Sequence, residues 1–166
     1  MQAIFSRRSI RKYTDKKVPE ELIEQLLRAG MAAPSAGNEQ PWHFIVIDDR
    51  AIMNEITKFH PYSKMLTDAS HAIVVCGDQS LQKHKGYWVQ DCSAAMENML
   101  IMAQYVGLGA VWLGVYPVED RVKALSKLLG LPENVTPLSI MALGYPAEIK
   151  EPADRFNPSR IHRNRW

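Results

Sequence analysis

Cysteine is scarce in this chain: Cys76 and Cys92 are the only two in 166 residues. Both sit in apolar segments. This excludes a disulfide scaffold and reads as a pair of buried, reduced thiols. No apolar run approaches the ~20 residues that a membrane span needs, and Arg7 and Arg8 arrive before any apolar leader segment. The expected location is therefore the cytoplasm, with no membrane partner. Charge of one sign is also lacking. Twenty Lys and Arg face 18 Asp and Glu, a formal net charge of +2, too little to argue for a nucleic-acid partner.

Several kinds of chemistry are missing as well. There is no GxxxxGK[ST] phosphate loop and no GxSxG nucleophile elbow. Gly107-Leu108-Gly109 lacks the third glycine of a dinucleotide fingerprint. The five histidines (His43, His60, His71, His84 and His162) are scattered, with no pair at helical metal-ligand spacing, so no metal site is expected. With no repeat, linker or low-complexity tract, residues 1–166 are read as one domain. At 46% hydrophobic and 23% charged residues, the composition is that of an ordinary folded chain, long enough to bury a core.

The elements follow from periodicity and punctuation. A short helix is expected over Met1–Ser9, carrying Ile4 and Phe5. Pro19, Glu20 and Glu21 suit a helix start, followed by a stripe of Leu22, Ile23, Leu26, Leu27 and Met31 that ends by Pro34. His43–Ile47, Ala72–Cys76, Val111–Tyr116 and Leu138–Leu143 read as strands. Ala51–Lys58 reads as a helix, and Val118, Val122, Leu125 and Leu129 mark another, capped by Gly130. Tyr62–Ala69 is ambiguous. The long segment Tyr87–Val106 is apolar nearly all round, as a buried helix would be, and part of it is expected to face a second subunit. The tail from Glu148 to Trp166 is polar and aperiodic. The fold class is α+β, one sheet of four or five strands with helices around it.

Four segments carry possible chemistry. Arg7-Arg8-Ser9-Ile10-Arg11 sets three guanidiniums within five residues, which suits a phosphate or a solvated basic turn. Ala33–Trp42 brings Ser35, Asn38 and Gln40 into a Pro- and Gly-punctuated loop. They can donate to a heteroaromatic edge, or the loop is an ordinary helix-to-strand connection. Gly107–Gly114 either lets backbone approach a planar ligand or simply ends a helix and starts a core strand. The tail, from Asp154-Arg155-Phe156 to Trp166, is either a docking arm or an appendage.

These segments, in this order, resemble the FMN-dependent nitroreductase family in its short form. The resemblance is carried over essentially the whole length by RRSIRKY, APSAGNEQPWHF, KML followed by HAIVVCGD, WVQDCSAAMENMLIMAQYVGLGAVWLG, ALGYP, and DRF with a closing H-x-x-x-W. It implies a nitroreductase-like fold with a mostly antiparallel sheet, an intertwined homodimer, and two FMN molecules at the subunit interface. It further implies that Arg7, Arg8, Ser9 and Arg11 reach FMN from one subunit, with Arg7 and Arg155 at the phosphate and Arg11 at the N1–C2 edge. Pro34, Ser35, Asn38 and Gln40 reach it from the other subunit. Trp112, Leu113 and Gly114 line the far side of the ring, and Lys64 is a further candidate. No side-chain acid or base is expected, because the chemistry belongs to the flavin, with Arg11 stabilising its reduced form.

By the same resemblance, NADH or NADPH donates a hydride and a nitroaromatic or quinone-like acceptor takes it in a second half-reaction. The chain departs from the longer relatives in two places. The 78–87 stretch is short, where they carry a helical excursion over the flavin, and Ala153 stands where a lysine often precedes the arginine. The alternatives are a flavin-binding or regulatory protein without turnover, and a related flavin enzyme acting in reductive dehalogenation, ene reduction or flavin destruction.

Overall fold

The computed structural model describes residues 2–166. In chain order it has helix α1 (Gln2–Ser6), helix α2 (Glu20–Met31), strand β1 (Trp42–Ile47), helix α3 (Arg50–Phe59), strand β2 (His71–Asp78), helix α4 (Trp88–Tyr105), strand β3 (Gly109–Gly114), helix α5 (Glu119–Leu129) and strand β4 (Val135–Gly144). The four strands form one antiparallel sheet in the order β1-β2-β4-β3, so the fold is α+β with no fifth strand among the described residues.

The sheet is covered on both faces. Ile73, Val75, Met141 and Leu143 point into a core shared with α2 and α4. Val74, Cys76, Ile140 and Ala142 point into a second core with Met53, Ile56 and Leu125 of α3 and α5. Alternation along β2 and β4 therefore puts apolar residues into both layers, which is why these strands read as unbroken apolar runs rather than as alternating ones. Helix α4 fills the centre of the first layer, with Cys92, Ala95, Met96 and Met99 fully buried. Burial pushes both cysteine thiols up to about 12, so they are inert, as expected of buried thiols.

Three boundaries differ from expectation. Of the expected Met1–Ser9 helix, Met1 lies outside the described residues and α1 ends at Ser6. Beyond it the chain extends to pair with β3: Ser9 bridges Ala110 in parallel, and the Ile10 amide donates to the Ala110 carbonyl at 3.0 Å. Strand β3 correspondingly runs over Gly109–Gly114, not Val111–Tyr116. Strand β4 begins earlier, at Val135, and passes through Pro137. A proline cannot donate to a ladder, and the register slips there, with Val75 opposite Ser139 but Cys76 opposite Pro137. The Leu138 carbonyl is left to accept from the amides of Val115 and Tyr116. The ambiguous stretch after Tyr62 is a single 3-10 turn, Lys64–Thr67.

Gly109 is a packing glycine. A Cβ there would sit 2.7 Å from Cγ2 of Ile10, whereas a Cβ on Gly114 would meet nothing within 4 Å. Gly109→Ala is expected to destabilise the protein by about 1–3 kcal/mol through overpacking, and Gly114→Ala by less than about 0.5 kcal/mol. Urea denaturation of the two variants checks the contrast, and equal losses would refute it.

Candidate functional site

The arginine segment is held rigidly against the sheet edge. After the Ile10–Ala110 bond, the Tyr13 hydroxyl reaches the Ile10 and Ala142 carbonyls at 2.7 and 3.1 Å. The Thr14 amide donates to Tyr145, and the Ala147 amide donates to Lys12. Burial drives the Tyr13 phenol far above its ordinary range, so it stays a neutral hydrogen-bonding anchor. Glu148 accepts from the Arg11 amide at 2.6 Å and pairs with Lys150, whose ammonium also donates to the Ser9 carbonyl at 2.7 Å. With Glu148 committed in this way, the Arg11 guanidinium is free to point away from it.

Arg11 lines a cavity of about 440 Å³ together with Lys64, Trp112, Leu113 and Gly114, the positions singled out from the sequence. His60, Tyr62 and Arg121 also line it, and the sequence reading missed them. The Gly114 carbonyl accepts from His60 Nε2 at 2.9 Å and from Arg121 Nη1 at 3.0 Å. The Arg121 guanidinium lies 5.6 Å from the centre of the Tyr62 ring. Burial lowers the His60 pKa, the neighbouring Arg121 charge lowers it further, and the bond to Gly114 only partly opposes them. The ring is therefore neutral, with the proton on Nε2 and a bare Nδ1. No carboxylate lines this cavity among the described residues, so it offers cations and flat apolar walls to an anionic planar group.

A second cavity, of about 400 Å³, brings Arg7 and the tail residue Arg155 together, between Ile4, Phe5, Asp154 and Phe156. Arg7 Nε is 3.2 Å from Glu97 Oε1, which fixes one edge of its guanidinium and leaves the other N–H groups available. Arg8 and Ser9 are half-buried between the two cavities in sequence. The donors on these cavities fit both ends of FMN: paired arginines suit its phosphate, and Arg11 and Lys64 suit its electron-rich pyrimidine edge.

The loop carrying Pro34, Ser35, Asn38 and Gln40 lines neither cavity. It packs elsewhere, against the start of α4 and the 82–86 turn. Gly37, Asn38 and Gln40 all have left-handed backbone, at φ 55°, 53° and 48°. Ser35 Oγ accepts from the Gln40 amide at 3.0 Å, and Gln40 Nε2 donates to Asn38 Oδ1 at 3.1 Å. Two buried acids hold the loop. Asp91 Oδ1 accepts from the Ala36 amide at 3.0 Å, and Glu39 Oε2 accepts from the Lys83 and His84 amides. Neither acid stood out in the sequence, because an acid in a turn or in a first helical turn usually faces water.

Among the described residues no three His, Cys, Asp or Glu side chains are grouped to hold a metal ion, and no helix is long and apolar enough to cross a membrane.

The model of the Nitroreductase family matches residues 4–62 and 58–145. The chain belongs to that family. It is 54% identical, over its full length and 87% of the relative, to a Methanothermobacter thermautotrophicus protein provisionally named NADH dehydrogenase/NAD(P)H nitroreductase. A crystal structure of a protein with the same provisional name from Parabacteroides distasonis superposes with a TM-score of 0.96 at 42% identity, over 99% of this chain and 97% of that one. A provisionally named nitroreductase from Desulfovibrio desulfuricans, crystallised in complex with FMN, is 31% identical over 99% of this chain and 96% of that one, with a TM-score of 0.85.

A neutral buried His60 makes stability depend on pH. Its folded pKa lies below the ordinary 6.5, so the unfolded chain binds the proton more readily. Its contribution is complete above about pH 6.5 and is lost as pH falls toward the lowered value. His71 is shifted the same way by burial. His60→Gln, which retains a donor for Gly114, is expected to make the loss of stability below about pH 6.5 shallower. Urea midpoints measured across pH test this, and an unchanged acid slope would refute it.

Proposed function

We propose that this chain is one FMN-binding domain, residues 1–166, of a cytoplasmic, homodimeric NAD(P)H oxidoreductase acting on nitroaromatic or quinone-like acceptors. The observation that carries the reading is the acid-free cavity joining Arg11 and Lys64 to Trp112, Leu113 and Gly114. Bound FMN would supply the redox chemistry there, taking a hydride from NADH or NADPH and passing it to the acceptor.

The chain's own groups bind and orient. Arg7 and Arg155 hold the phosphate end, with Arg8 and Ser9 beside them. Arg11 sets a fixed cation against the pyrimidine edge, where charge builds up on reduction. Trp112 and Leu113 wall the ring. His60 and Arg121 hold the Gly114 carbonyl and so keep the end of β3 in place beneath it.

The dimer completes the site. Pro34, Ser35, Asn38 and Gln40 serve the FMN of the second subunit, which accounts for a structured loop that lines neither cavity of its own chain. An apolar groove of about 500 Å³ between Ala3, Ala29, Ala32, Ile101, Met102 and Tyr105 supports burial against that subunit. So do Phe5 and the terminal Trp166, which are 73% and 101% exposed in the single chain.

The purified protein is expected to be yellow, to release FMN rather than FAD on heating, and to sediment as a dimer. A colourless protein that FMN does not reconstitute would overturn the reading. Arg155→Ala is expected to weaken FMN binding about 10- to 100-fold, the worth of one charge-assisted bond. Arg11→Ala is expected to lower the flavin potential by on the order of 30 mV, and an unchanged potential would remove its electrostatic role. Donor and acceptor using one cavity in turn give parallel double-reciprocal lines in steady-state kinetics. FMN binding without NAD(P)H oxidation would make the protein a flavin carrier instead.

A further inference from the structure

Glu39 and Asp91 are only 7% and 5% exposed. Each gives one carboxylate oxygen to backbone amides: Glu39 Oε2 to Lys83 and His84, and Asp91 Oδ1 to Ala36. The remaining oxygens, Glu39 Oε1 and Asp91 Oδ2, are buried with no hydrogen-bond partner. Both acids hold the same loop, and each carboxyl lies near enough to the other to shift its ionisation. Two carboxylates are both acceptors, so that approach needs a proton between them.

We infer that Glu39 and Asp91 share a single proton, and that this acid pair is the latch that holds the loop Ser35–Gln40 in the conformation that meets FMN. The inference rests on the function proposed above for that loop. The loop needs a latch because Asn38 and Gln40 both adopt left-handed backbone, which a side chain such as glutamine rarely does. Asp91 ties the loop to α4. Glu39 ties it to the 82–86 turn, the short segment that stands where longer relatives carry an excursion. Both acids are positioning residues.

The surroundings place the proton on Asp91. Burial pushes its carboxyl up, and the facing Glu39 adds to this. Burial also acts on Glu39, but the amides of His84 and Lys83 and the proton shared by Asp91 outweigh it and hold it low. The other titratable groups facing the pair are His84, whose ring lies where a Gly37 Cβ would be; Lys83, whose ammonium donates to the Gly37 carbonyl at 3.2 Å; and the neutral Cys92 thiol. With Asp91 raised, the latch is closed below its elevated pKa. It opens as pH rises through that value and leaves two facing negative charges.

The test is the FMN dissociation constant of the full chain from about pH 5 to 9, read by quenching of flavin fluorescence. The wild type is expected to weaken about tenfold or more toward the alkaline end. In Asp91→Asn the amide donates permanently to Glu39 and does not titrate. This variant is expected to match the wild type at acid pH and stay flat. Glu39→Gln, which donates to Asp91, is expected to flatten the profile too, whereas Asp91→Ala weakens binding at every pH. His84→Gln is expected to keep the alkaline loss. An Asp91→Asn profile that parallels the wild type, a flat wild-type profile, or a loss abolished by His84→Gln would overturn the latch.

Should the wild type bind no FMN at any pH, the proposed function fails. The pair is then read from thermal unfolding of the flavin-free protein across the same range. The alkaline loss of stability should flatten in Asp91→Asn and Glu39→Gln, and its persistence there would overturn the shared proton.

Discussion

The site depends on one close contact, Ile10 against the bare Cα of Gly109. That contact and the amide bond beside it let the extended arginine segment run along β3. The segment places Arg11 on the same cavity as Trp112, Leu113 and Gly114, although about a hundred residues separate them in sequence. Tyr13, Lys150 and Glu148 lock the far end of the segment. The guanidiniums are thus carried on a strand-like rail rather than on a mobile terminus, and fixed charges cost little reorganisation when charge appears opposite them.

The rail works because the sheet behind it is stiff. β2 and β4 are buried on both faces, each face packed by its own pair of helices. An interior at this density transmits displacement rather than absorbing it. The bulge at Pro137 interrupts the β2–β4 ladder and hands the Leu138 carbonyl to the chain just beyond β3.

Most of the architecture was legible in the sequence, because apolar stripes and Pro or Gly punctuation act locally. The helices over 20–31, 50–59, 88–105 and 119–129 and the cores of all four strands lie where periodicity put them. The boundaries that moved depend on distant partners. β3 starts at Gly109 because Ser9 and Ile10 pair there, and no local pattern encodes that. Gly109, one of the glycines read as making room for a ligand, makes room for Ile10. In the site, Arg11, Trp112, Leu113 and Gly114 were legible through the family motifs, and they converge. His60, Tyr62 and Arg121 were not, because a histidine after a helix and an arginine in a first turn look like surface residues until the tertiary fold brings them to one carbonyl.

That carbonyl has a consequence for how the protein tolerates change. Gly114 is held by His60, at the end of α3, and by Arg121, in the first turn of α5. These two helices pack on the face of the sheet that meets Ile56 and Leu125. Substitutions buried in that layer therefore reach the cavity lined by Arg11 and Trp112 through a pair of donors. Those in the opposite layer, around Met96 and Met99, reach the Arg7 arm through Glu97 and the Ser35–Gln40 loop through Asp91. Under the proposed function, selection for new acceptors would then accumulate changes in the α3–α5 layer, well away from the residues that line the cavity.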